Sequence, residues 1–214
     1  MAEKERPAPR APLVVAVTGG MGAGKSTFCE RMARRPGVVR LDADAVVHAI
    51  LREDAVAREA ILSAFGPEAL APDGSLDRGR LGERAFADPA LLSRLEGILH
   101  PRVRERLANQ VEALKRCGEV DIVLVEIPLL AESSAPGWCD LVVTIEAPPA
   151  LRIARLVRRG VPAESAARRI AHQAGEARRR AAADLVVDNS AGPEALERAV
   201  EALWQEWRGR GAAR

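Results

Sequence analysis

The chain contains no tyrosine and only three tryptophans and three phenylalanines in 214 residues. So few rings give little surface for stacking bases, which argues against a nucleic-acid platform. They also leave Ala, Val and Leu to fill the core. Lysine is nearly as scarce. Of 32 basic residues only Lys4, Lys25 and Lys115 are lysine, so 29 are arginine. Cysteine occurs three times, at Cys29, Cys117 and Cys139, an odd number without a C-x-x-C pair. That argues against a disulfide or zinc framework and suits reduced, mostly buried thiols in a cytoplasmic protein. No apolar run approaches the roughly 18 residues of a membrane helix. Residues 1–12 are polar and proline-rich, lack the apolar centre of a signal peptide and are expected to form a flexible tail. The formal net charge of +2 gives no global pull towards nucleic acid or an anionic membrane, and neither is expected as a partner.

What is present is ample apolar material, 48% of residues, in a chain long enough for one core with insertions. Leu13 to Val17 is a short β-branched apolar run of the kind that forms a strand buried on both faces. A glycine-rich turn follows, then a helix over about Lys25 to Arg35. Further strands are expected at Val38–Leu41, Asp121–Val125, Leu141–Ile145 and Leu185–Val187. Helical patterns between them predict an α/β fold with a parallel five-stranded sheet and flanking helices. Residues 45–118 hold no convincing strand. They read as helices broken at Gly66-Pro67, Asp73-Gly74, Asp88-Pro89 and His100-Pro101, a plausible acceptor-binding region. Residues 148–183 are helical and arginine-rich, with a break at Gly160–Pro162. Pro193 to Trp207 is a closing helix whose buried side is expected to carry Leu196, Val200, Leu203, Trp204 and Trp207. Residues 13–214 are thus read as a single domain with a helical insertion.

Gly19-Gly20-Met21-Gly22-Ala23-Gly24-Lys25-Ser26 fits G-x-x-x-x-G-K-[ST] at every fixed position. It also lies after a buried strand and at the start of a helix, the context this phosphate-binding loop requires. Glycines let the backbone wrap a phosphate with its N–H groups pointing inward, and the helix N-terminus adds its positive end. Gly20, Met21, Gly22, Ala23, Gly24, Lys25, Ser26 and Thr27 are therefore candidate ATP contacts. Lys25 would reach the β- and γ-phosphates, and Ser26 would offer its hydroxyl to Mg²⁺. A lysine at this place, in a chain that otherwise uses arginine, fits the need for a slim point charge.

In an open parallel sheet ligands lie beyond the carboxyl ends of the strands. Asp42, Asp44 and Glu126 fall at such ends. Phosphoryl transfer needs one carboxylate for the acceptor hydroxyl and another for Mg²⁺ or its waters. Asp42 suits a helix N-cap equally well, and Asp44 an ordinary first-turn acid. Glu126 ends an apolar strand, where a carboxylate needs a metal or an ion-pair partner. Arg152, Arg155 and Arg159 fall at i, i+3 and i+7 on one side of a helix. Such a row is either a solvated face or a set of cations closing over a triphosphate.

Taken in order, these segments resemble the dephospho-CoA kinase family from Leu13 to Asn189. The family pattern T-G-G-[IM]-G-[SA]-G-K-S is matched by Thr18 to Ser26, and its D-A-D triplet by Asp42-Ala43-Asp44. A His-Pro pair is matched by His100-Pro101, and D-x-P-L-L-x-E by Glu126 to Glu132. An R-x-x-x-R helix, a Gln and A-D-x-V-[IV]-x-N are matched by Arg155 with Arg159, Gln173 and Ala183 to Asn189.

The resemblance implies a P-loop kinase fold with a helical acceptor region and a small lid. It implies phosphate transfer from MgATP to the ribose 3′-hydroxyl of 3′-dephospho-CoA, the last step of coenzyme A synthesis. Asp44 would be the base, with Lys25, Arg155 and Arg159 at the transferring phosphate. Asn189 would lie near the adenine, His100 and Glu132 on the acceptor side, and Ser26 and Glu126 on the metal. His100 could instead satisfy a backbone group before Pro101, with Pro101 opening a helix. Glu132 could instead pair with a lid arginine. Glu126 departs from the family's usual Asp, and the glycine after Asn189 is displaced to Gly192. The alternatives carried forward are another small-molecule P-loop kinase, for a nucleoside, nucleotide or shikimate-like acceptor, and a nucleotide-binding regulator. The lack of a guanine-reading N-K-x-D stretch counts against the regulator. A monomer is the favoured state.

Overall fold

A computed structural model describes residues 11–127 and 136–210. The N-terminal tail expected over residues 1–12 falls mostly outside these, as do Pro128, Leu129, Leu130 and Glu132. Among the described residues the chain divides into two compact units. One holds residues 11–42 and 111–210, the other residues 43–110.

The first unit is built on five parallel strands: β1 (Leu13–Gly19), β2 (Val38–Asp42), β3 (Ile122–Glu126), β4 (Leu141–Glu146) and β5 (Leu185–Asp188). They lie in the order β2-β3-β1-β4-β5. The expected strands all form, each running a residue or two further at the carboxyl end, with β3 starting one residue later. Residues 14–19 of β1 are fully buried, as a central strand covered on both faces must be. Helix α1 (Lys25–Met32) packs Phe28, Cys29 and Met32 onto Val15, Val17, Leu124 and Ile145. The closing helix, α9 (Pro193–Trp207), adds Leu196, Val200 and Trp207 to the same cluster, with Leu203 and Trp204 partly buried against it. All five side chains expected on its inner side are therefore there. Each large apolar side chain so buried contributes about 1.5–3 kcal/mol, enough to fix the sheet against α1. The three thiols are free. Cys29 is buried and Cys139 half-buried, but Cys117, near the end of a long helix, is exposed.

The second unit is helical: α2 (Ala43–Glu53), α3 (Ala55–Phe65), a 3₁₀ turn at Pro67–Ala69, α4 (Arg78–Ala87) and most of α5 (Pro89–Cys117). Its breaks follow side-chain chemistry. The Asp54 and Asp77 carboxylates accept from the backbone N–H groups of Ala57 and Arg80 and cap α3 and α4. Asp88 accepts from Ala90 N at 2.8 Å where α5 begins.

The break expected at His100-Pro101 does not occur. Helix α5 runs through Pro101 for 29 residues, so His100 and Pro101 lie within it and Pro101 opens no helix. Proline there removes one backbone hydrogen bond, to the carbonyl of Gly97. Gly97 is exposed, so water can hydrate that carbonyl. Burial of Leu99 and Leu107, two helical turns apart, offsets the loss.

The arginine-rich stretch forms α6 (Pro149–Arg158), α7 (Ala163–Ala171) and α8 (Glu176–Ala181), interrupted at 159–162 as expected.

Candidate active site

The phosphate loop leaves β1 at Gly19 and enters α1 at Lys25, with Gly24 in the left-handed region at φ 104° as the helix cap. Gly22 also has positive φ, 77°, and a Cβ there would stand 2.7 Å from the backbone oxygen of Arg152. Only glycine satisfies both demands. Lys25 Nζ donates to Gly19 O at 2.7 Å, which draws the ammonium over the loop. Ser26 follows in the first turn of α1.

The carboxyl ends of β2 and β3 carry the acids. Asp42 and Glu126 are register partners on adjacent parallel strands, and Val17 of β1 is the other register partner of Glu126. Glu126 is only 5% exposed. Ser26 Oγ donates to its Oε1 at 2.7 Å, and Arg40 Nη2 donates to its Oε2 at 2.7 Å. The same Arg40 nitrogen lies 3.1 Å from Asp42 Oδ2, and Nη1 lies 4.0 Å from Glu30 Oε1. Burial works to lower the pKa of Arg40, but the Glu126 charge and hydrogen bond, together with the smaller pulls of Cys29 and Asp42, hold the guanidinium above its ordinary value. Beneath this group Cys29 is kept a thiol, pushed up by burial and then by the Glu126 charge.

On the other flank, side chains of α6 and Gln173, just after α7, hold the loop backbone. Arg152, 3% exposed, donates through Nε to Met21 O at 2.8 Å. Gln173 Oε1 accepts both from Arg152 Nη2, at 3.0 Å, and from Met21 N, at 2.8 Å. Arg155 donates to Ala23 O at 3.1 Å and to Asn189 O at 2.8 Å, and the buried Asn189 amide donates to Ala23 O at 2.8 Å. Burial and the neighbouring Arg158 and Arg159 charges hold Arg155 below its ordinary pKa. A cavity of about 360 Å³ opens here, lined among others by Gly24, Thr27, Arg31, Arg155, Arg158 and Arg159. Four arginines lining one cavity, Arg31 from α1 and three from the end of α6, fit a polyanionic ligand. Deeper in, Arg179 of α8 clasps Glu146 at the end of β4 with two bonds of 2.7 and 2.6 Å. Thr144 Oγ1 adds a third at 2.9 Å. Burial alone would raise Glu146, yet these hydrogen bonds hold its carboxyl below the ordinary glutamate value.

The family model for dephospho-CoA kinase matches residues 13–194. The chain belongs to the dephospho-CoA kinase family. A Frankia casuarinae dephospho-CoA kinase is 43% identical over 195 residues, covering 90% of this chain and 82% of the relative. One from Thermobifida fusca is 39% identical, covering 91% and 96%. Among solved structures, a Thermus thermophilus protein superposes with a TM-score of 0.76 at 34% identity, covering 92% of this chain and 98% of that one. Dephospho-CoA kinase from Campylobacter jejuni gives 0.60 at 28% identity, covering 90% and 96%.

Seen as a dephospho-CoA kinase family member, the first unit brings together Gly20 to Thr27, Glu126, Arg155 and Asn189. Arg159 lines the cavity, exposed, at the end of α6. Asp44 lies in the first turn of α2, exposed, two residues past Asp42, and His100 is exposed on α5; both belong to the second unit. Glu132 lies outside the described residues. Sequence reasoning missed Arg40, and it missed the Glu146–Arg179 pair. For Glu146 the signal was available, since it ends an apolar strand just as Glu126 does. Arg40 offered none, because only the neighbouring of β2 and β3 makes it a partner of Glu126.

Proposed function

We propose that this chain transfers the γ-phosphate of MgATP to the ribose 3′-hydroxyl of 3′-dephospho-CoA, giving ADP and coenzyme A. The observation that carries the reading is the join between the phosphate loop and the strand-end acid. A loop of the right sequence presents Ser26 Oγ at 2.7 Å from a buried carboxylate on the adjacent strand. Family membership supports the acceptor, and Lys25 with the arginines supports a triphosphate donor.

In this reading the loop amides and Lys25 cradle the β- and γ-phosphates. Ser26 and Glu126 would hold Mg²⁺ or its waters. Their donor set fits, because this ion commonly binds one or two protein oxygens alongside substrate phosphates and water. When bound it supplies charge neutralisation at the phosphates. Asp44 orients the acceptor hydroxyl and takes its proton, so that the oxygen attacks phosphorus as the β–γ bond breaks. Arg155 keeps the loop and the Asn189 turn in one arrangement, and Arg159 adds positive charge from the cavity wall. Asn189 and its loop border the adenine. His100 and residues 45–118 serve the acceptor, with Glu132, and residues 148–183 act as the lid.

No helix among the described residues is long and apolar enough to cross a membrane. We take the cytoplasm as the working compartment and the monomer as the working state, the latter measurable by light scattering on the eluting protein.

The deciding experiment is ADP release from MgATP with and without dephospho-CoA, with the product weighed by mass spectrometry. Acceptor-dependent ADP and a mass gain of one phosphate are expected. Release that depends on some other acceptor, or on none, would overturn the reading.

A further inference from the structure

Glu126 is the acid on which the metal-side reading depends, and it already has a cation. One carboxylate oxygen faces the Ser26 hydroxyl, and the other accepts from Arg40 Nη2 at 2.7 Å. Arg40 comes from the middle of β2, and the β2–β3 register sets it beside Leu124, two residues before Glu126. Three acids surround its guanidinium, Glu126 and Asp42 at Nη2 and Glu30 4.0 Å from Nη1, and its side chain is 23% exposed.

A buried carboxylate without a counter-charge is costly. A carboxylate beside a hydroxyl, with further acids close by and no positive charge among them, would offer a hard divalent cation a weak oxygen site even without nucleotide. With a guanidinium on Oε2, the negative charge of Glu126 is offset and the acids around it attract a cation less, while Oε1 still faces Ser26. Nucleotide phosphates then have to bring the extra negative charge that makes the metal site attractive.

We propose that Arg40 is the resident counter-cation of Glu126, a positioning residue that stops the protein holding Mg²⁺ by itself and makes metal entry depend on nucleotide phosphate. This rests on the reading of Ser26 and Glu126 as the metal side of the nucleotide site. The guanidinium need not leave, since it engages only one of the two oxygens.

The test is binding of Mn²⁺, as a spectroscopic stand-in for Mg²⁺, to the full-length chain by electron paramagnetic resonance, first without nucleotide and then with ADP. Arg40→Met should bind nucleotide-independent Mn²⁺ roughly tenfold or more tighter than the parent, because a unit positive charge next to the site has gone. Adding Glu126→Gln to that variant should abolish the gain. Arg40→Lys, which keeps the charge, should behave like the parent. Arg40→Gln, which keeps a donor without the charge, should repeat the gain, and serves if the methionine variant fails to fold. Unchanged Mn²⁺ affinity in folded Arg40→Met or Arg40→Gln overturns the proposal, and so does a tight-binding Arg40→Lys. The ADP arm separates the two levels of the argument. If Ser26→Ala and Glu126→Gln leave Mn²⁺ binding to the ADP complex untouched, the metal-side reading itself fails, and the role of Arg40 fails with it. If they weaken it while Arg40 variants match the parent, only the counter-cation role is lost.

Discussion

Ser26 Oγ donates to Glu126 Oε1 at 2.7 Å, joining the first turn of α1 to the end of β3 across 100 residues of sequence. Neither element could place that contact alone. The loop fixes where α1 starts, and the β1–β3 register, Val17 beside Glu126, fixes the height of the carboxylate.

Glu126→Gln should therefore raise the Mg²⁺ concentration needed for half-maximal rate by about tenfold and lower the maximal rate. Glu126→Asp keeps the charge but draws the carboxylate back by one methylene from Ser26 and Arg40, so it should fall between parent and Gln variant. Initial rates against free Mg²⁺ at saturating ATP measure both. A Gln variant with the parent's metal dependence would remove Glu126 from the metal side.

Gly22→Ala tests whether the loop tolerates any side chain where α6 packs against it. The residue has φ 77°, and the added methyl would lie 2.7 Å from a backbone oxygen of α6, which cannot rotate away as a side chain could. Stability should drop by about 1–3 kcal/mol. ATP affinity should drop about tenfold or more, because the loop amides are displaced with the backbone. Thermal unfolding and calorimetric ATP titration read the two effects separately.

The Glu146–Arg179 pair is the most deeply buried ion pair among the described residues, with side chains 3% and 6% exposed. Arg179→Met leaves a buried carboxylate without its guanidinium and should cost about 3–5 kcal/mol. Adding Glu146→Leu should recover much of that. The pair also carries a pH signature. Glu146 titrates below its ordinary value of 4.5 in the folded protein. Its contribution is complete above that pH and is lost as the pH falls through the lowered folded value. Urea midpoints followed downward from neutrality should decline less steeply in Glu146→Gln than in the parent. Parallel curves would show that Glu146 has no part in acid sensitivity.

The parts of the site legible in the sequence are those written in consecutive residues. Gly19 to Ser26 announces both a loop and its ligand, because the glycine spacing, the lysine and the preceding apolar strand are local facts. The strands and α9 were legible for the same reason, their burial being periodic. The Pro101 position was misread because a proline rule is local while the burial of Leu99 and Leu107 that overrides it is not. Arg40 stayed hidden because its meaning depends on β2 lying next to β3. The order β2-β3-β1-β4-β5 is a product of crossover packing that no short segment encodes. Gln173 was noticed as a signature residue, but its bond to the Met21 amide, 152 residues away, appears only in the fold.

Asp44 carries the chemical step in the proposed reaction, and its test separates chemistry from binding. It stands exposed in the first turn of α2, just after the strand whose last residue, Asp42, pairs with Arg40. An asparagine there keeps shape and a hydrogen-bonding oxygen but cannot accept a proton. Asp44→Asn should thus lower kcat by about a hundredfold or more while ATP affinity stays near the parent's. Asp42→Asn should behave differently. It removes one of three acids around Arg40 but leaves the acceptor base in place, so kcat should fall by about tenfold or less. Lys25→Ala should weaken ATP binding and lower kcat as well, since the ammonium holds the phosphates in the ground state and is drawn more strongly still to the charge that shifts during transfer. Steady-state kinetics on the three variants, with ATP affinity measured independently, distinguish these patterns. If Asp42→Asn shows the deep kcat loss and Asp44→Asn turns over normally, the base is the last residue of β2 and not the first acid of α2.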